Sequence, residues 1–436
     1  MTNHNLVETA LKKLKSLNLD AAEISLSETK GFSVTARLGD VETLEHHLET
    51  SFSVTVYQNQ CSGSAASSDF SQESIHATIE KACSIASFSS PDPYSGLADP
   101  NRLAKHYPNC QLFHPWPITP TDAIALAIEC EKKAIAFDKR IINSEGASIS
   151  TLNSHNIYAN TLDFFGEAHV SEHGIHCSVV ASENDHMQRD DDYTIARNPA
   201  DLKSIDFIAQ RAAEKTIKKL CARRLKTQTC PVIFEASMAK SLLRSFVQAI
   251  SGGNLYRQSS FLLNALGQTI FPKNMNIFQQ PHLLSAMGSA PFDSEGVATV
   301  DQHYVREGEL VSYVLGSYSA RKLGLQTTGN AGGVFNLSVT NTDVTLQQLI
   351  QKMHRGLLVT ELMGHGVNIM TGDYSRGAAG FWIENGEIQF PVEEITIAGN
   401  LKSLFAGIVA IANDIDIRGS IRSGSILIDR MTVAGE

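Results

Sequence analysis

His354, Glu361 and His365 are separated by 7 and 4 residues, the steps that bring side chains to one face of a continuous helix. Two imidazoles and a carboxylate so arranged form a ligand set for zinc. The flanking residues argue against that helix. Thr345 caps "LQQLIQKM", whose Leu346, Leu349, Ile350 and Met353 form an apolar stripe, and Gly356 stands where a helix-ending glycine belongs. "LLVTEL" then reads as a strand, in which residues four apart lie roughly 13 Å from one another. Glu361 and His365 could share an ion only across a sharp turn at Gly364. "HVSEHGIH" is a second candidate. In an extended chain His169 and His173 face one way and His176 the other, so the group is either a metal cluster or a row of strand-surface histidines. "TGDYSRGAAGF" places Asp373, Tyr374, Ser375 and Arg376 among glycines at 372, 377 and 380. It is either a contact surface for partner or substrate, or a turn packed closely on a neighbouring strand. "RDDDY", Arg189 to Tyr193, lacks the spacing of a calcium loop and reads as solvated. No serine elbow, Walker loop, dinucleotide fingerprint or HExxH is present.

The elements that must hold these groups follow from periodicity. Leu6, Ala10, Leu14 and Leu17 mark a helix, and four short alternating stretches after it end in "SFSVTVYQ". A helix over about 72–86, capped by Ser71, completes a helix-meander-helix unit, and a proline-rich linker near 89–118 follows. The order then repeats: Thr119 caps a helix from Pro120 to about Phe137, strands run through "GIHCSVVAS", and a helix spans about 200–225. A strand at "CPVIFEAS" opens the second half. It leads into a helix from Met238 to Ile250 that ends at Gly252 and Gly253. Hairpins turn at Glu307-Gly308 and at Asn385-Gly386. The reading is an α+β protein of mainly antiparallel sheets in two domains, 1–225 and a strand-rich 226–436.

Composition narrows the function classes. A charge of -10 over 436 residues opposes direct nucleic-acid binding, and the one basic cluster, Lys215, Lys218, Lys219, Arg223, Arg224 and Lys226, reads as a solvated helix end. Seven scattered cysteines without a CxxC pair suit a reducing cytosol and disfavour a thiolate zinc site. The opening "MTNHNLVETALKKLK" has no secretion pattern, and no apolar run approaches the roughly 20 residues of a membrane helix. A cytoplasmic protein with no membrane contact is expected.

Three segments, "ISGGNLYRQSSFLLN", "GVNIMTGDYSRGAAGFWIENGEI" and "GSIRSGSILIDRMTVAG", resemble the PmbA branch, also called TldE, of the TldD/PmbA family. The similarity runs over essentially the whole chain. It implies a bacterial, cytosolic metallopeptidase assembly in which a TldD-type subunit holds zinc and a PmbA-type subunit pairs with it around a chamber for unfolded peptides. Peptide-antibiotic precursors and antitoxin-type proteins are the implied substrates, and modulation of DNA gyrase is the source of an older family name. In the TldD type, an HExxxH helix and a C-terminal cysteine bind the metal. The helix from Met238 to Ile250 corresponds to it, and "RSFVQ" puts Arg244 and Gln248 in place of the histidines and Ser245 in place of the glutamate. No cysteine follows Cys230. A guanidinium never supplies a lone pair near neutral pH, so hydrolysis by this chain alone has no evident mechanism.

The first expectation is therefore a metal-free partner subunit, with zinc in the TldD-type subunit and no cofactor in this chain, that forms a homodimer in isolation. An exposed sheet edge of the second half would receive extended peptides. Two alternatives stand beside it: an independent metallopeptidase with a relocated site at Glu361 and His365 or at the His169 cluster, and a gyrase modulator acting by protein contact.

Overall fold

The computed structural model describes residues 2–340 and 342–435. In the first half, α1 (Asn3–Ser16) precedes β1 (Ala21–Arg37), β2 (Asp40–Gln58), β3 (Cys61–Ser67) and α2 (Gln72–Phe88). The same order returns as α3 (Pro120–Ala136), β4 (Ile141–Asn160), β5 (Phe165–Glu183), β6 (His186–Ala196) and α4 (Ile205–Lys218). The two units share one antiparallel sheet in the order β3-β2-β1-β4-β5-β6, joined where β1 pairs with β4. The four short stretches expected before Gln58 are instead two strands of 17 and 19 residues. Polar residues in their middles, such as Glu28 and Lys30, break the apolar alternation without ending the strand. One face of β1 consequently serves two cores. Ala22, Ile24 and Leu26 lie under α1 and α2, whereas Phe32, Val34 and Ala36 lie under α3 and α4. The helix expected over 200–225 is shorter, a 3-10 turn at Pro199–Asp201 followed by α4.

Caps behave as their chemistry requires. Ser71, Thr119 and Thr345 each accept a backbone N–H of the first turn, and Thr345 with Gln348 completes a reciprocal box.

The second half contains β7 (Gln228–Phe234), α5 (Ala236–Ala249), α6 (Gly252–Tyr256), β8 (Ile277–Gln279), β9 (Gln302–Arg306), β10 (Glu309–Leu310), α7 (Ser317–Lys322), β11 (Leu337–Val339), α8 (Leu346–Met353), β12 (Gly356–Met363), β13 (Asp373–Glu384), β14 (Glu387–Asn400), α9 (Leu401–Ala406), β15 (Ile408–Ile411), β16 (Ile421–Arg422) and β17 (Ile426–Ala434). Gly252 and Gly253 open α6 rather than end α5. A six-stranded sheet, β14-β13-β12-β7-β17-β15, closes on itself because β14 also pairs with β17, and this barrel-like sheet buries α5 through Leu242, Leu243 and Phe246. A five-stranded sheet, β10-β9-β8-β11-β16, lies beside it. Both hairpins have positive φ at both turn residues, 48° and 79° at Glu307 and Gly308, 55° and 74° at Asn385 and Gly386, as the tight turn matching strand twist demands.

The proline-rich segment is irregular yet fastened along the second half. Arg321 donates to the carbonyls of Tyr94, Gly96 and Leu97, Ala104 N–H donates to Gly296, and Ser285 N–H to Cys110. It joins α2 to α3 as a linker and in addition is strapped to the second half by these bonds.

Candidate functional site

α5 is the helix that the sequence resemblance sets against an HExxxH helix, and its side chains do not fit a metal. Arg244 and Gln248, four apart on one face, are exposed, while Ser245 is turned inward and donates to its own helix at Ser241 O, 3.0 Å away. Counted in register, the sixth place of an HExxxH that starts at Arg244 is Ala249 and not Gln248, and Ala249 is fully buried in the apolar core. In either register the helix presents a guanidinium with an amide or a methyl group. None of these is an anionic or imidazole donor for zinc.

The other candidates separate. His354 caps α8 with φ of 61°, so it and not Gly356 terminates the helix. Gly356 is required for a different reason: a Cβ there would meet Pro231 O at 2.3 Å, where β12 runs beside β7. Glu361 and His365 do not meet as ligands. His365 is exposed in the loop after β12, and Glu361 binds Lys219 Nζ at 2.7 Å. Lys219 is 7% exposed and holds Asp190 of β6 at 2.8 Å as well. Burial alone would lower the Lys219 pKa, but Asp190 and Glu361 outweigh it and raise the value. Lys215 and Lys219 are thus not part of a solvated helix end, whereas Lys218, Arg223, Arg224 and Lys226 are exposed as expected. Lys215 also pairs with Asp190, Arg224 with Glu394, and Arg223 lies 4.8 Å over the Phe390 ring. "RDDDY" is likewise part of β6 and not a loop. Asp192 meets Arg418, which chelates the buried Asp416 together with Lys240 at 2.9 Å. These charges form an ion-paired seam between the halves.

In "TGDYSRGAAGF", Asp373 and Ser375 point outward on β13, but Tyr374 is 2% exposed and packs edge-on against Phe234, so it is no contact residue. Arg376 is partly buried. The glycines of this region mark close strand approach: a Cβ on Gly380 would lie 1.9 Å from Leu358 O and one on Gly366 1.8 Å from Ser375 O.

β5 presents His169 and His173 on one face, and packing then divides them. His173 is fully buried, with Nδ1 at 2.9 Å from Thr151 Oγ1 and Nε2 at 2.8 Å from His114 O, and burial depresses its pKa. Both ring nitrogens are committed, which removes it as a ligand. His176, on the opposite face, lies 3.4 Å from Asp191. His169 instead stacks on His155 of β4, with centroids 4.2 Å apart and planes 12° from parallel. Glu167 lies beside both rings, 2.7 Å from His155 and 3.9 Å from His169. His155 and Glu167 carry no local signal in sequence, since the β4–β5 register that joins them is set over the whole length of two strands.

Family models match the chain in three segments: PmbA/TldA metallopeptidase domain 1 over residues 22–86, the central domain over 113–220 and the C-terminal domain over 227–435. The chain is 44% identical to Metalloprotease PmbA of Escherichia coli O157:H7, over 99% of this chain and 95% of that one. The chain belongs to the PmbA/TldD family. A second member, the Metalloprotease PmbA homolog of Haemophilus influenzae, is 42% identical over 95% of this chain and 92% of its own. Among solved structures, a Bacteroides thetaiotaomicron protein described as a candidate modulator of DNA gyrase matches with TM-score 0.94 and 27% identity, over 100% of this chain and 99% of that one. TldE of Thermococcus kodakarensis shares the fold, with TM-score 0.83 at 19% identity over 99% of this chain and all of that one. The PmbA/TldD fold is thus an α+β arrangement of long antiparallel sheets. Among the described residues, no helix of this PmbA/TldD member is long and apolar enough to cross a membrane.

Proposed function

We propose that this chain is the partner subunit, without the catalytic zinc, of a cytoplasmic PmbA/TldD-type metallopeptidase. It shapes the chamber that admits unfolded peptides, and a TldD-type subunit supplies the zinc and the hydrolysis. What supports this reading is α5, the helix that the resemblance sets against the metal helix, which carries Arg244, Ser245, Gln248 and Ala249 where ligands and general base would be expected. A missing first coordination shell leaves the family's metal chemistry without a holder in this chain. Full-length identity to PmbA supports the branch, and the fold shared with TldE accords with a two-subunit assembly.

In this reading the sheet edge that takes an added peptide strand is β2, since the edge strands of the second half, β10, β15 and β16, have only 2, 4 and 2 residues. The second-half sheet closes through β14 and β17, whereas Asp40–Ser51 of β2 pairs only with β1 among the described residues. Alone, the chain forms a homodimer through the surface that otherwise meets its partner. The decisive assay incubates an unstructured peptide with the chain alone, with a TldD-type subunit alone, and with both. Cleavage is expected with both together and none with this chain alone. Chelator-sensitive cleavage by the purified chain alone would overturn the proposal.

A further inference from the structure

We infer that His155, Glu167 and His169 form a site for a borderline divalent cation, of which zinc is the type, in the first half of the chain. The inference is independent of the proposed function, because none of its residues belongs to α5 or to the second half. One ligand atom from each of the three lies within 4.8 Å of the others. The geometry that gathers them is rigid: His155 and His169 are directly opposite in the β4–β5 ladder, and Glu167 lies two residues before His169 on the same face. Tetrahedral bonds of about 2.1 Å separate ligand atoms by about 3.4 Å, so modest side-chain rotation closes the site. Such rotation is available, since the side chains of His155, Glu167 and His169 are 20%, 32% and 52% exposed.

The chemistry of the set selects the ion. Two imidazoles and a carboxylate suit zinc and its neighbours, whereas calcium and magnesium demand oxygen shells. A further imidazole is in reach: His4, on the first turn of α1, has Nδ1 at 3.0 Å from Glu167 Oε2. A single carboxylate therefore serves His4 and His155 and lies beside His169, whose ring stacks on that of His155. A cation at the Nε2 edges of the two rings, beside Glu167, would take up the in-plane nitrogen lone pairs, which a carboxylate, itself an acceptor, leaves unused. Asn3 Nδ2 donates to Glu28 Oε2 at 2.5 Å and lies 3.3 Å from His155 Nδ1, which accepts from it, so Nε2 carries the proton toward Glu167 and releases it when a cation binds there. Phe113 and Phe165 flank His169 and His4 at 5.6 and 4.6 Å between centroids. Glu167 and His169 also line a cavity of about 500 Å³ under the strap, which leaves room for a solvent molecule or a ligand on the ion.

The test uses the full-length chain freed of metal with a chelator, dialysed against zinc chloride and analysed for bound metal, with cobalt(II) as a spectroscopic replacement. One zinc per chain is expected, and the cobalt form should show the visible absorption of a four-coordinate site. His169→Ala and His155→Ala should each weaken binding by about tenfold or more, while His365→Ala binds as the parent does. Far-UV circular dichroism confirms folding of each variant, and His169 is exposed enough that its loss leaves the core untouched. No stoichiometric zinc, binding undiminished by His169→Ala, or loss through His365→Ala would each overturn the inference. None of these readouts involves peptidase activity, so they stand or fall apart from the partner-subunit reading.

Discussion

Two polar regions of the molecule look alike by composition and differ in saturation. In the seam between the halves every acid named faces a fixed cation: Asp416 is held by Lys240 and Arg418, Asp190 by Lys215 and Lys219, and Glu361 by Lys219. At the β4–β5 face one carboxylate, Glu167, serves imidazoles whose charge depends on protonation. A cluster whose charges already cancel is structural, because any ligand must first break a pair. A cluster with more donors than partners is ready for a ligand. Glu361, which sequence spacing marks as a ligand, belongs to the first kind, and His169 belongs to the second.

The comparison can be broken at several points. Asp416→Ala leaves Lys240 and Arg418 facing each other without their shared anion, and it should cost about 3–5 kcal/mol in denaturant unfolding. A loss below about 1 kcal/mol would remove the seam's structural standing. Lys219→Ala strips the buried cation from Asp190 and Glu361 and should cost about 2–3 kcal/mol, discounted because Glu361 is 45% exposed.

Acid should loosen the seam. Burial alone would raise the Asp416 pKa, but the Arg418 side chain and backbone and Lys240 outweigh it and hold the value below the usual 3.8. A carboxyl with a depressed folded-state pKa contributes stability above its unfolded pKa and loses it as pH falls through the folded value. Stability should therefore fall with acid below about pH 4, and Asp416→Asn should flatten that slope. An unchanged slope in the variant would assign the acid loss elsewhere. Glu361→Gln, at a half-exposed pair, should cost about 1 kcal/mol or less and leave peptide cleavage by the two-subunit assembly unchanged. Abolished cleavage would restore Glu361 as a catalytic candidate. Smallest of all, His169→Ala should shift stability by no more than about 0.5 kcal/mol in metal-free buffer.

Much of the fold was legible because its signals are local. The caps at Ser71, Thr119 and Thr345 and the turn at Asn385-Gly386 each need only three or four neighbouring residues, and all are found as read. The same-face placement of His169 and His173 is equally local, since alternation along a strand fixes it. What misled was any feature whose reason lies far away in sequence. The glycine near the end of α8 looked like a helix cap, yet it exists for Pro231 of another strand, and Lys215 and Lys219 looked solvated until β6 and β12 supplied their anions.

The sequence by itself determined the α+β class, the repeated order of helix, strands and helix, the tight hairpins, and the absence of ligand-bearing side chains at Arg244, Ser245 and Gln248. Each is a property of residue type and short-range spacing. Only the tertiary structure decided that β14 and β17 close a sheet, that Glu361 is an ion-pair partner, that His173 is buried against a backbone carbonyl, and that His155 and Glu167 stand beside His169. Those outcomes depend on strand register and on contacts between segments distant in the chain, and long-range pairing leaves no periodic trace in either partner alone.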